Sequence, residues 1–179
     1  TAVLLCAGLS RFIFPLISLE GRKFWVLGLT PIKRSEIVWG KFAFAATGSV
    51  IVALLLIVVS DVLLVLPAEL VALHALAMLL IALGLSGLNV GLGAYLPTFR
   101  ETDPSKIVVG FGGTVNMVTG LMFLVCVIGL TAVPYHVTHM AVKFGHAAST
   151  PLIYVGVPVG VALAVVAVCL PLRAGARSL

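Results

Sequence analysis

FAFAATGSVIVALLLIVVSDVLLVL, residues 42–66, is followed by Pro67-Ala68-Glu69 and then by LVALHALAMLLIALGLSGLNVGLGAYL, residues 70–96. The first run has 25 residues and as a helix would extend roughly 37 Å at 1.5 Å per residue. The hydrocarbon core of a bilayer is ~30 Å thick, so either run can cross it with some tilt. A turn as short as Pro67-Ala68-Glu69 makes the second crossing return beside the first. Two adjacent apolar runs of this length decide the class: an all-α, polytopic transmembrane helix bundle.

The rest of the chain agrees. It has 179 residues, 61% of them hydrophobic and only 9% charged, with a mean hydropathy of +1.26. Soluble chains carry ~25% charged residues. Upstream, residues 1–17 read as part of a membrane helix whose start is missing, since Thr1 enters an apolar run without a basic leader. Residues 18–41 are basic and aromatic, too polar to span, and read as an interfacial amphipathic segment, with Thr30-Pro31 as a helix start. Downstream, residues 97–104 form a loop and 105–133 the next span, with Asp103 as N-cap and Pro104 at the first position. Gly110, Gly112 and Gly113 predict a bent or broken start to that span. Residues 134–150 read as a loop, 151–172 as a final span, and 173–179 as a tail. The expectation is about five membrane helices in one transmembrane domain.

Charge orients the bundle. If spans alternate, the segments 18–41 and 97–104 and the tail lie on one side and, with the flanking Arg11 and Lys106, hold ten of the 11 basic residues, Lys143 alone lying opposite. The positive-inside rule makes that side, and the C-terminus, cytoplasmic. A net charge of +5 arranged in this way suits anionic headgroups, so membrane lipid is an expected partner and nucleic acid is not. Cys6, Cys126 and Cys169 lie in apolar runs with no CxxC or Cys/His cluster, and read as buried hydrophobes.

Few motifs carry chemistry. Gly110-Phe111-Gly112-Gly113-Thr114 lacks the Lys-Ser/Thr of a phosphate-binding loop, and neither GxSxG nor HExxH occurs. The chain is therefore not expected to be an enzyme, and no cofactor is called for. Asp61 near the outer end of its run, with His74 on the next, forms a possible intramembrane polar site. Its alternatives are a carboxylate reaching headgroup water and a proton or substrate role. His136, His139 and His146 could share a helical face, but no carboxylate or cysteine stands near in sequence. They read as a polar outer loop rather than a metal site. Gly87 and Gly91 have the spacing that lets two helices approach closely.

The stretch Arg11-Phe12-Ile13-Phe14-Pro15-Leu16-Ile17-Ser18-Leu19-Glu20-Gly21-Arg22-Lys23-Phe24-Trp25, then Pro31 and Lys41, resembles the membrane permeases of type-two ABC exporters. Gly93-Ala94-Tyr95-Leu96-Pro97-Thr98-Phe99, with Asp103-Pro104 and Gly112-Gly113, resembles a later cytoplasmic loop of the same permeases. The resemblance covers most of the chain and lacks the family's first span. It implies a coupling region at 20–41 that docks on a separate ATP-binding cassette ATPase subunit, and a second permease half or a homodimer to complete the pathway. Glu20, Arg22, Trp25, Pro31 and Glu36 would contact the ATPase or brace the coupling segment. Arg100 and Asp103 would set the second cytoplasmic loop. The implied activity is outward transport of an unknown substrate, in the bacterial inner membrane. The alternative is a non-transporting helical subunit that scaffolds a larger membrane complex.

Overall fold

A computed structural model describes residues 3, 8–9, 11–23, 33–99, 103–144 and 151–178. Two short 3-10 turns, Phe14–Leu16 and Ser18–Lys23, precede five helices: α1 (Arg34–Leu63), α2 (Ala68–Tyr95), α3 (Pro104–Val109), α4 (Phe111–Lys143) and α5 (Pro151–Ser178). Among the described residues there is no strand, and four helical stretches are long and apolar enough to cross a membrane: Arg34–Leu63, Ala68–Tyr95, Phe111–Met140 and Val155–Ser178. The chain is a polytopic helical bundle of an integral membrane protein. Of residues 1–17, expected to hold a further span, 1–2, 4–7 and 10 lie outside the described residues; Arg11 and Phe12 are helical.

The bundle is organised around α2, which packs against α1, α4 and α5. Its side chains Leu80, Ile81 and Leu85 meet Ala53 of α1, Phe123 and Val127 of α4, and Ala164 of α5 in the main core. A smaller core at one end joins Ile17 to Val38, Val90 and Leu172. The apolar residues on the outer faces, such as Ile51, Leu55 and Val59 of α1 or Val161 and Val165 of α5, are exposed. In a membrane protein these are the lipid-facing surface, because hydrocarbon gives an apolar side chain no reason to turn inward.

What draws the helices together is therefore the small residues. A Cβ on Gly91 would stand 2.4 Å from the Pro171 backbone, and one on Gly87 2.6 Å from Val168 Cα. The close pair suggested by the Gly87–Gly91 spacing is thus α2 against α5. Buried polar groups add directional bonds across the core. Ser49 Oγ of α1 lies 2.7 Å from Ser86 Oγ of α2, and Asn116 Nδ2 of α4 donates to Asn89 Oδ1 of α2 at 2.7 Å.

The helix ends differ in part from the expected ones. The Asp103 carboxylate accepts from Ser105 N at 2.9 Å, Pro104 opens α3, and the chain breaks at Gly110 before α4, all as the sequence suggests. Helix α1 begins at Arg34; Thr30-Pro31, the expected helix start, lies outside the described residues. A 30-residue helix is ~45 Å long. It outreaches the hydrocarbon core, so its first two turns extend beyond the span expected at 42–66. Helix α4 runs through Pro134 to Lys143, where a loop was expected. Proline removes one intrahelical bond, the one to the Leu130 carbonyl; one turn on, the buried Thr138 Oγ1 donates to the Pro134 carbonyl.

Candidate functional site

The ends of α1, α2 and α5 are gathered at one end of the bundle by bonds between residues far apart in sequence. Phe14 and Ile17 are fully buried, which anchors the two 3-10 turns against the bundle. The contact is close enough that a Cβ on Gly93 would fall 2.4 Å from the Phe14 carbonyl oxygen. Glycine is needed here because two backbones touch. From that anchored segment, Glu20 Oε1 accepts from Lys41 Nζ of α1 at 2.6 Å, and Lys41 Nζ also reaches the Leu16 carbonyl at 3.4 Å. The pair is partly buried, and such a pair is worth about 1 kcal/mol when water still reaches it. Two residues earlier, the buried Ser18 Oγ accepts from Thr98 N, just past α2, at 3.0 Å. At the far end of the chain, Ser178 Oγ of α5 donates to the Ala94 carbonyl at 3.2 Å.

One short segment is thus bonded both to α1 and to the end of α2. Any force on residues 18–23 reaches two membrane helices through an ion pair and a hydrogen bond. Cationic residues stand around this end: Arg11, Lys33 and Arg34 are exposed, and Lys106, Arg173 and Arg177 begin or end the helices nearby.

The other expected residues are placed as follows. Glu36 is exposed in the first turn of α1 and accepts from Lys33 N at 3.3 Å, half of a capping box. The Arg22 backbone belongs to the second 3-10 turn, its side chain lying outside the described residues. Trp25, Pro31 and Arg100 also lie outside them. Asp103 caps α3. Asp61 and His74, singled out on separate helices, do come together: His74 Nδ1 and Asp61 Oδ2 are 2.8 Å apart, with Asp61 buried and His74 half-buried.

Lys41 and Asp61 are twenty residues apart on α1, about 30 Å of helix and thus one hydrocarbon thickness. The Asp61–His74 pair therefore sits one bilayer core away from the Glu20–Lys41 pair, by the turn that joins α1 to α2. That turn is a Schellman motif: Leu66 N donates to Asp61 O at 3.1 Å and Val65 N to Val62 O at 3.0 Å. Val65 occupies the left-handed position usually taken by glycine, with φ of 52°.

A family model described as "Putative ATP-binding cassette" matches residues 1–179, the whole chain. The chain belongs to this ABC-transporter family. Neither the curated proteins nor the solved structures give a match. Within the family frame, the groups that sequence reasoning missed are the partner of Glu20, which is Lys41, and the buried amides Asn89 and Asn116. The amides had a readable signal, since each interrupts an apolar run. Among the described residues no group of three or more His, Cys, Asp or Glu side chains could hold a metal. His136 and His139 are exposed on α4, where Tyr135 stacks on His139 with ring centroids 6.0 Å apart. His146 lies outside the described residues.

Proposed function

We propose that this chain is a permease part of an ABC-type exporter, moving its substrate outward by alternating access while a separate ATPase subunit hydrolyses ATP. The observation that carries the reading is the double attachment of residues 18–23, to α1 through Glu20–Lys41 and to the end of α2 through Ser18–Thr98. A coupling element must convert a push from a soluble partner into relative motion of spans. A segment bonded to two spans at the basic, positive-inside end is placed to do so. The sequence has no phosphate-binding loop of its own, which supports a partner as the source of energy. In this reading the basic end and the C-terminus face the cytoplasm of a bacterial inner membrane. A second permease half or a second copy completes the pathway, since a substrate path needs walls that the four outward-apolar helices among the described residues do not enclose.

The test is co-purification in mild detergent with ATPase activity measured on the eluate. A stoichiometric nucleotide-binding subunit should be recovered, and its hydrolysis should be stimulated by the permease. Replacing Glu20 and Arg22 together by alanine should abolish that stimulation while leaving membrane insertion intact. The exchange Glu20→Lys with Lys41→Glu separates the two roles of Glu20. Restored stimulation marks a brace within the chain, and continued loss marks a direct contact with the ATPase. An eluate with no ATPase, carrying another membrane assembly instead, would leave the scaffold reading in its place.

A further inference from the structure

Helix α1 carries a groove on its lipid side. It has a volume of about 830 Å3 and is lined almost entirely by apolar atoms, from Leu9, Phe12 and Ile13 on one wall and from Phe44, Gly48 and Val52 of α1 on the other. That volume lies within the ~300–1,000 Å3 usual for small-ligand sites. Phe12 also lines a second recess, of about 550 Å3, whose other walls include Arg11, Leu19 and Ser105. The two recesses therefore flank one exposed aromatic ring, the first apolar and the second opening on a cation.

Dimensions and charge together select the occupant. Along α1 the groove runs from Ala43 to Val52, which is roughly 14 Å of helix rise and about half of the ~30 Å hydrocarbon core. It begins just inside Lys41, at the basic end of the bundle. An apolar channel one leaflet deep with a cationic mouth matches one amphiphile: a phospholipid with an anionic headgroup. Arg11 is exposed, and among the described residues no carboxylate lies within ion-pairing distance of it. Among the described residues, the acids next in sequence to the lining residues Leu19 and Pro104 are Glu20 and Asp103, and both are engaged. Glu20 is paired with Lys41, and Asp103 accepts from Ser105 N. The amide at the start of α3 is thereby already satisfied, so Arg11 is the group left to meet a phosphate.

We propose that this groove binds an anionic phospholipid of the leaflet at the basic end, with one acyl chain between the wall of Leu9, Phe12 and Ile13 and α1, and the phosphate on Arg11. The bound lipid joins the anchored N-terminal segment to α1 alongside the Glu20–Lys41 pair. The site stands whether or not an ATPase drives the chain.

Native mass spectrometry tests it on the full-length protein, released from bilayers of equal parts phosphatidylcholine and phosphatidylglycerol. The wild-type chain should retain phosphatidylglycerol over phosphatidylcholine by about fivefold, the factor that one basic residue near a membrane surface supplies. Arg11→Gln, a change at an exposed position, should keep bound lipid but lose the preference. Gly48→Leu should lose bound lipid of both kinds. A Cβ at Gly48 meets no heavy atom within 4 Å, so the new side chain fills the groove without disturbing the helix, and an unchanged melting temperature checks this. Equal retention of the two lipids by the wild type, an undiminished preference in Arg11→Gln, or lipid still held by Gly48→Leu would each overturn the proposal. So would a wild-type dimer that Gly48→Leu converts to monomer, since the groove would then hold a second copy of the chain.

Discussion

The two ends of α1 each carry one tie to a carboxylate, and they are built in opposite ways. At the turn into α2, Asp61 and His74 close a local hairpin: thirteen residues separate them, the carboxylate is buried, and the Schellman turn between them completes the closure. At the basic end, Lys41 reaches back 21 residues to Glu20 with water still in contact, and Thr98 and Ser178 add bonds spanning 80 and 84 residues. One end is a self-contained corner, whereas the other is a junction where four parts of the chain meet. The corner can move only as a unit. The junction is where displacement of one segment is felt by several helices.

That contrast can be broken most severely at the junction's packing. Gly91→Val would drive a side chain into the Pro171 backbone, 2.4 Å from the position of its Cβ. Overpacking against backbone costs about 3 kcal/mol or more, so the variant should lose its monodisperse peak in detergent. Gly129→Ala is the control, because nothing lies within 4 Å of its Cβ; it should melt at or slightly above the wild-type temperature.

A smaller effect separates the two ties. His74→Ala leaves the Asp61 carboxylate buried and unpaired, which should cost about 2–3 kcal/mol. Lys41→Met leaves Glu20 partly hydrated and should cost about 1 kcal/mol. Thermal unfolding of both variants in the same detergent ranks them, and equal losses would erase the distinction between corner and junction. The smallest change should be a gain. Val65→Gly relieves a β-branched residue held at φ of 52°, a strain of roughly 1 kcal/mol. The hairpin should be stabilised by less than that, because glycine also enlarges the unfolded ensemble.

The parts of this architecture that were legible in the sequence are those written in local order. Long apolar runs mark spans, Asp103-Pro104 marks a helix start, glycine at 110 marks a break, and Gly87 with Gly91 marks a close helix contact. Asp61 and His74 were legible as exceptions, being ionisable groups in apolar surroundings. Which faces of the helices meet was not legible. A helix apolar on every side has no polar face to point outward, so neither the joining of Ser49 to Ser86 nor that of Asn89 to Asn116 could be read from periodicity. The partner of Glu20 was hidden for a different reason. The 3-10 turns bring Glu20 back to Lys41, and no helical spacing relates the two. Pro134 misled because proline ordinarily ends a helix, whereas here it removes a single bond, to the Leu130 carbonyl, and the helix continues to Lys143.

The separation of the two ties along α1 has a material consequence. Each includes an acidic side chain and both belong at the polar boundary, yet the helix between them is a rod of about 30 Å that cannot shorten. The protein is therefore a thickness gauge. In a membrane of long, saturated tails, mismatch pulls Lys41 or His74 toward hydrocarbon unless the lipids thin around them. In a thin membrane, the same rod must lean. Tail length alone should then shift the tilt of α1, and with it the load carried by Glu20.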